Sequence, residues 1–150
     1  LVGAEGEGLL ELVHDRDRPT AEWREQCTEP RTYSFRLAME TRNRLAAMVD
    51  DLLRRNGIGR GDVAGFVSQN LSAGSFTFLE DSLDVELLPA CRENLRQYGH
   101  LGPNDVFLNL RTAVDRGELV PGDLAVLINV SPVAAWSLLL VETGSQEDTA

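Results

Sequence analysis

The sequence predicts a layered α/β domain, and three observations lead to it. Leu124 to Val130 is an almost wholly apolar run of strand length, as a strand buried on both faces should be. Ala134 to Glu142 follows after a Ser131-Pro132 break and reads as its antiparallel partner. Upstream, Leu45, Met48, Val49, Leu52 and Leu53 form a helical stripe that stops at Gly57, before a short strand at Val63 to Val67. The expected order is strand, helix, strand, helix, helix, strand, strand.

Leu9 to His14 is the expected first strand, with His14 at the surface or a pocket edge. Asp15 to Thr32 is polar and broken by Pro19 and Pro30, so it reads as an excursion; Trp23 and Cys27, four apart, could dock through a helical turn. Residues 1–34 are therefore set apart as a leading strand and irregular excursion. The helix that follows is expected to begin between Phe35 and Glu40, and Arg54 and Arg55 suit the negative end of its dipole. Its charges read as a solvated face rather than a carrier-protein dock. Ile58 to Asp62 is a tight turn.

Asp62 to Ser72, Asp-Val-Ala-Gly-Phe-Val-Ser-Gln-Asn-Leu-Ser, begins as a strand and ends at the mouth of a helix. Such corners collect chemistry in α/β proteins, because helix N–H groups and side chains converge there. From Asn70 the chain turns helical, with Phe76, Leu79 and Leu83 inward and Asp84 at the end. Val85 to Leu88 reads as extended and is interrupted by Pro89. Cys91 to Gln97 fits helix or strand equally well by periodicity. Tyr98 to Pro103 is a turn with two glycines and a proline. It leads into a helix with Val106, Leu110, Ala113 and Val114 inward, Pro103 in its first turn and Gly117 at its end. Pro121-Gly122-Asp123 is a turn, Trp136 a core residue, and 144–150 a polar tail.

Composition narrows the function classes. The chain has 150 residues, one domain's worth, and a net charge of −10, which argues against nucleic acid or an anionic membrane as the main partner. No apolar run approaches the roughly 20 residues of a membrane helix. The two cysteines, Cys27 and Cys91, lack metal-site spacing and read as free thiols, so no metal is expected. The chain opens Leu-Val-Gly-Ala-Glu without a Met, and reads as trimmed, cleaved or cut from something longer.

Gly57-Ile58, Asp62-Val63, Ser68-Gln69-Asn70-Leu71-Ser72, Tyr98-Gly99-His100, Pro121-Gly122-Asp123, Leu124 to Val130, Ser131 to Ala134 and Ala135-Trp136 stand in one order. In that order and spacing the chain resembles the C-terminal half of a 3-oxoacyl-ACP synthase III, a thiolase-fold condensing enzyme. The resemblance covers roughly Phe35 to Glu142 and makes residues 35–143 a ketosynthase III-type C-terminal domain. It implies acyl transfer from acyl-CoA or acyl-ACP thioesters, with no bound cofactor, in fatty acid, polyketide or secondary-metabolite biosynthesis in the cytoplasm. It implies a dimer, and an N-terminal thiolase-fold half, on the same or a separate polypeptide, that carries the nucleophilic Cys; neither Cys27 nor Cys91 matches that position. A half-fold of this kind is not expected to function alone. The alternative is a catalytically degenerate subunit that scaffolds an active partner.

The chain departs from the family's pattern where the chemistry sits. The corner His of the family is Gln69 here, its later Asn is His100, and its glycine-rich closing loop, which supplies an oxyanion contact, is Val130-Ser131-Pro132-Val133. Gln69 either donates to a substrate carbonyl, without shuttling protons, or is a relic of a lost site. His100 is either a base of suitable pKa range or a turn residue satisfied by backbone. Asp105, one helical turn on, either orients His100 or is a helix-start carboxylate favoured by the dipole. Some acyltransferase-like relatives within the family use a Gly-His turn and a following Asp, and His100 with Asp105 is similar to that variant. The expected catalytic residues are His100, Gln69 and Asp105; the expected substrate-binding residues are Asn70, Ser72 and Ser131.

Overall fold

The computed structural model describes residues 30–131 and 135–144; the side chains of residues 30–33 are not described. The expected strand at Leu9 to His14, the Trp23–Cys27 turn, residues 132–134 and the tail beyond Gly144 lie outside the described residues.

Helix α1 spans Pro30–Asn56. The stretch Pro30 to Thr32, read as the end of a loop, is helical, and α1 runs through the expected boundary between residues 34 and 35. Leu45, Val49 and Leu53 bury its inner stripe, and Gly57 leaves the helix at φ 68°, a conformation that costs a residue without a Cβ little. The opposite face pairs its charges: Arg54 and Arg55 both reach Asp51, and Arg44 reaches Glu40.

A 3₁₀ turn at Arg60–Asp62 leads into β1, Val63–Ser68. Helix α2 follows at Ala73–Leu83, later than the Asn70 start read from sequence. Ser72 caps it, accepting the Ser75 N–H at 3.0 Å. Phe76, Leu79 and Leu83 are its buried face, and Asp84 closes it in the left-handed region at φ 53°. Val85 to Leu88 makes only a bridge between Leu87 and Phe66, with the Leu88 N–H on the Phe66 carbonyl at 2.9 Å. The ambiguous Cys91 to Gln97 stretch is helical: α3 spans Pro89–Tyr98, with Pro89 in its first turn, where a missing N–H costs nothing. A 3₁₀ turn at Gly102–Asn104 contains Pro103 and precedes α4, Asp105–Asp115.

The sheet has the order β1-β2-β3, where β2 is Leu124–Ser131 and β3 is Ala135–Glu142. β1 and β2 run parallel with Phe66 opposite Val126 and Ser68 opposite Ile128. β2 and β3 are antiparallel, Val126 opposite Leu140. Ala125 and Val126, neighbours on β2, pack into different clusters. Successive strand residues point to opposite faces, so β2 is covered on both, which explains its unbroken apolar run. The larger cluster joins α1, α2 and the strands; the smaller joins Ala90, Ala113, Leu119 and Ala125 beside α3 and α4. Trp136 packs half-buried against the larger cluster, donates Nε1–H to Thr41 Oγ1 at 2.9 Å, and lies under the Arg44 guanidinium. Among the described residues no helix is long and apolar enough to cross a membrane.

Candidate active site

β1 ends at Ser68, and the turn of residues 69–72 brings it against the start of α4. His100 stands between two glycines of positive φ, Gly99 at 70° and Gly102 at 80°. Such backbone is cheap only for glycine, so the pair holds His100 on a tight projection between α3 and α4. Its Nδ1 lies 2.6 Å from Asp105 Oδ2. The His100 side chain is 45% exposed, whereas Asp105 has no exposed surface. Among the described residues no group bonds His100 Nε2.

Asp105 collects donors on both oxygens. Oδ1 accepts the Leu101 N–H at 2.8 Å; Oδ2 accepts the Asn70 N–H at 2.9 Å besides facing His100. A buried charge is tolerated only when paired and hydrogen-bonded, and these donors meet that condition. A carboxylate that only accepts assigns the proton between them to Nδ1, leaving the Nε2 lone pair outward. Asp105 thus stands in the first turn of α4 and faces His100 Nδ1 from there.

Gln69 is placed differently. Its Nε2 donates to the Val130 carbonyl at 2.7 Å and its Oε1 accepts the Val130 N–H at 3.1 Å. The amide imitates a peptide and extends the β1–β2 ladder past Ser68. Asn70, expected to touch substrate, is fully buried and held by protein. Its Oδ1 accepts from Asn109 Nδ2 at 2.8 Å and its Nδ2 reaches the Gly99 carbonyl at 3.4 Å. Sequence position puts Asn70 at the corner, and its side chain turns inward to satisfy polar groups there. Ser72 is exposed, and its hydroxyl serves the α2 cap and Ser75. Ser131 ends β2, half-buried, opposite Ala135.

Behind the corner lies a network that sequence reading missed. Asn109, also without exposed surface, donates Nδ2 to the Ser68 carbonyl at 2.7 Å as well as to Asn70. Asn94 of α3 donates to Asn109 Oδ1 and to Thr112 Oγ1, both at 2.9 Å. A signal existed: Asp105 and Asn109 are four apart on the same stripe as Val106 and Ala113, and polar residues on an inward stripe require buried partners.

Cys91 is buried on α3, and desolvation pushes its thiol up to about 11. A thiol so protonated at neutral pH is a packing residue and not a nucleophile. Among the described residues no three His, Cys, Asp or Glu side chains converge as metal ligands would.

No family model matches the chain, and no curated protein matches it. Among solved structures it is similar to ChlB3, an acyltransferase, at 27% identity and a TM-score of 0.61, over 71% of this chain and 32% of that one. The chain has an acyltransferase-like α/β fold. It spans 32% of the length of that acyltransferase.

Proposed function

We propose that the chain is the C-terminal part of a thiolase-fold acyltransferase of the ketosynthase III type. It would move an acyl group from a coenzyme A or acyl-carrier-protein thioester, by way of a thioester on a Cys outside this chain, to an acceptor hydroxyl or amine. The observation that carries the reading is the His100–Asp105 pair: an exposed imidazole whose Nδ1 sits 2.6 Å from a buried carboxylate. The likeness to an acyltransferase and the buried, protonated Cys91 support it further.

In this reading the acceptor O–H or N–H approaches His100 Nε2, which takes its proton as the acceptor attacks the acyl carbonyl carbon. The tetrahedral intermediate collapses, breaks the carbon–sulfur bond and returns the thiolate, which is then reprotonated. Asp105 keeps the imidazole in the Nδ1–H tautomer and stabilises the imidazolium as it forms. Decarboxylative condensation fits less well. The position where the family keeps a His is Gln69, whose amide is engaged by the Val130 peptide.

A general base contributes about 10²–10⁴-fold in rate. His100→Ala in the complete protein should therefore lower transfer by that order while enzyme acylation, followed by intact mass, stays near wild type. Transfer at the wild-type rate would make His100 structural. The engaged Gln69 amide favours the second reading, a degenerate subunit that scaffolds an active partner, and that reading would then lead.

A further inference from the structure

The buried face of α4 carries Asn109 where an aliphatic residue would fill the space without a desolvation cost. Its amide is used at both ends. Nδ2 donates to the Ser68 carbonyl at 2.7 Å and to Asn70 Oδ1 at 2.8 Å, and Oδ1 accepts from Asn94 at 2.9 Å. Ser68 and Asn70 flank Gln69, so these bonds set the path of the corner. Asn70 then bears on the histidine pair in two ways. Its main-chain N–H meets Asp105 Oδ2 at 2.9 Å, the oxygen that faces His100 Nδ1. Its Nδ2 reaches the carbonyl of Gly99, the residue before His100, at 3.4 Å.

We propose that Asn109 is a positioning residue for His100, acting through Asn70 and Asp105, a role that rests on the acyl-transfer reading above. By fixing Asn70 it fixes the direction of Asp105 Oδ2 and the seat of the Gly99 turn together. The imidazole is thereby held in the Nδ1–H tautomer, with the Nε2 lone pair free to receive a proton. Neutral imidazole in water favours the opposite, Nε2–H form, so a loosened corner shifts the tautomer before it unfolds the chain. Asn94 and Thr112 form the outer end of the same network, one step removed from the corner.

The test uses the complete protein with ¹⁵N-labelled histidine, and His100→Gln assigns the resonances. Asn109→Asp keeps the shape but removes both N–H donors. Asn109→Ser keeps one donor and serves if the first variant does not fold. Thr112→Val removes an outer acceptor and leaves the bonds of Asn109 to Ser68, Asn70 and Asn94 in place. Either Asn109 variant should lower the Nδ1–H fraction of His100 and reduce kcat for transfer by about 10- to 100-fold, the cost of misplacing a reacting group. KM and enzyme acylation should stay within about twofold, and Thr112→Val should move neither tautomer nor kcat. An unchanged tautomer and kcat, with only a lower unfolding midpoint, would overturn the proposal and make Asn109 structural. The two readings fail separately: wild-type transfer by His100→Ala removes the acyl-transfer role, whereas the tautomer decides whether Asn109 positions His100.

Discussion

Asp105→Asn is the sharpest perturbation of the pair, because the side chain keeps its shape and loses only its charge and one acceptor. The carboxylate holds the Leu101 N–H at 2.8 Å on one oxygen, and the Asn70 N–H at 2.9 Å and His100 Nδ1 at 2.6 Å on the other. An amide has one oxygen for these two groups of donors. With that oxygen toward Leu101, the buried Asn70 N–H meets an NH₂ and the imidazole must move its proton to Nε2. With the oxygen toward Asn70 and His100, the Leu101 N–H is opposed instead. Either way one main-chain donor loses its partner, at a cost of about 1–3 kcal/mol. Either way the anion that stabilises the imidazolium is gone, which should lower transfer by on the order of 10²–10⁴-fold. Stability is read by urea unfolding of the complete protein. Transfer is read as a single turnover from pre-acylated enzyme by intact mass. Transfer within twofold of wild type in the folded variant would refute the role of Asp105, whatever happened to stability.

Three further outcomes are expected. Gln69→His should leave condensation with a malonyl thioester negligible, because the side chain at this position turns back onto the Val130 peptide; robust condensation would refute this. Cys91, with its thiol pushed up to about 11 by burial, should resist alkylation in the native protein at pH 8, where only about one molecule in 10³ is thiolate, and react after unfolding; rapid native labelling of Cys91, located by peptide mass mapping, would contradict the burial. Gly65→Ala would bring a Cβ within 2.7 Å of the Leu88 side chain, so it should destabilise by about 1–3 kcal/mol, and Leu88→Ala should relieve part of that cost in a double-mutant cycle.

Much of the scaffold was legible before the fold was known. The stripe from Leu45 to Leu53, the Gly57 stop, the apolar run of β2 and the Pro121-Gly122-Asp123 turn are local signals. Each depends on the periodicity or backbone freedom of neighbouring residues; the helix stop, the strand and the turn lie where those signals put them, whereas α1 begins earlier, at Pro30. The closeness of His100 and Asp105 was also legible, since a glycine turn followed by a helix start brings residues five apart together.

Polar side chains whose partners lie far along the chain are another matter. Gln69 meets Val130 across 61 residues and Asn109 meets Asn70 across 39. No spacing rule predicts whether an amide at a strand end turns toward a ligand or back into its own sheet. That choice falls to whichever buried donors and acceptors the packed fold leaves needing partners. Helix α3 was settled the same way: Cys91 to Gln97 has no decisive period, and it became helical where Ala90, Cys91 and Asn94 could be buried against the neighbouring layer. Local patterning therefore accounts for the layers and the place of the histidine turn. Packing decided which polar groups at the corner are held by the protein and left His100 Nε2 facing outward.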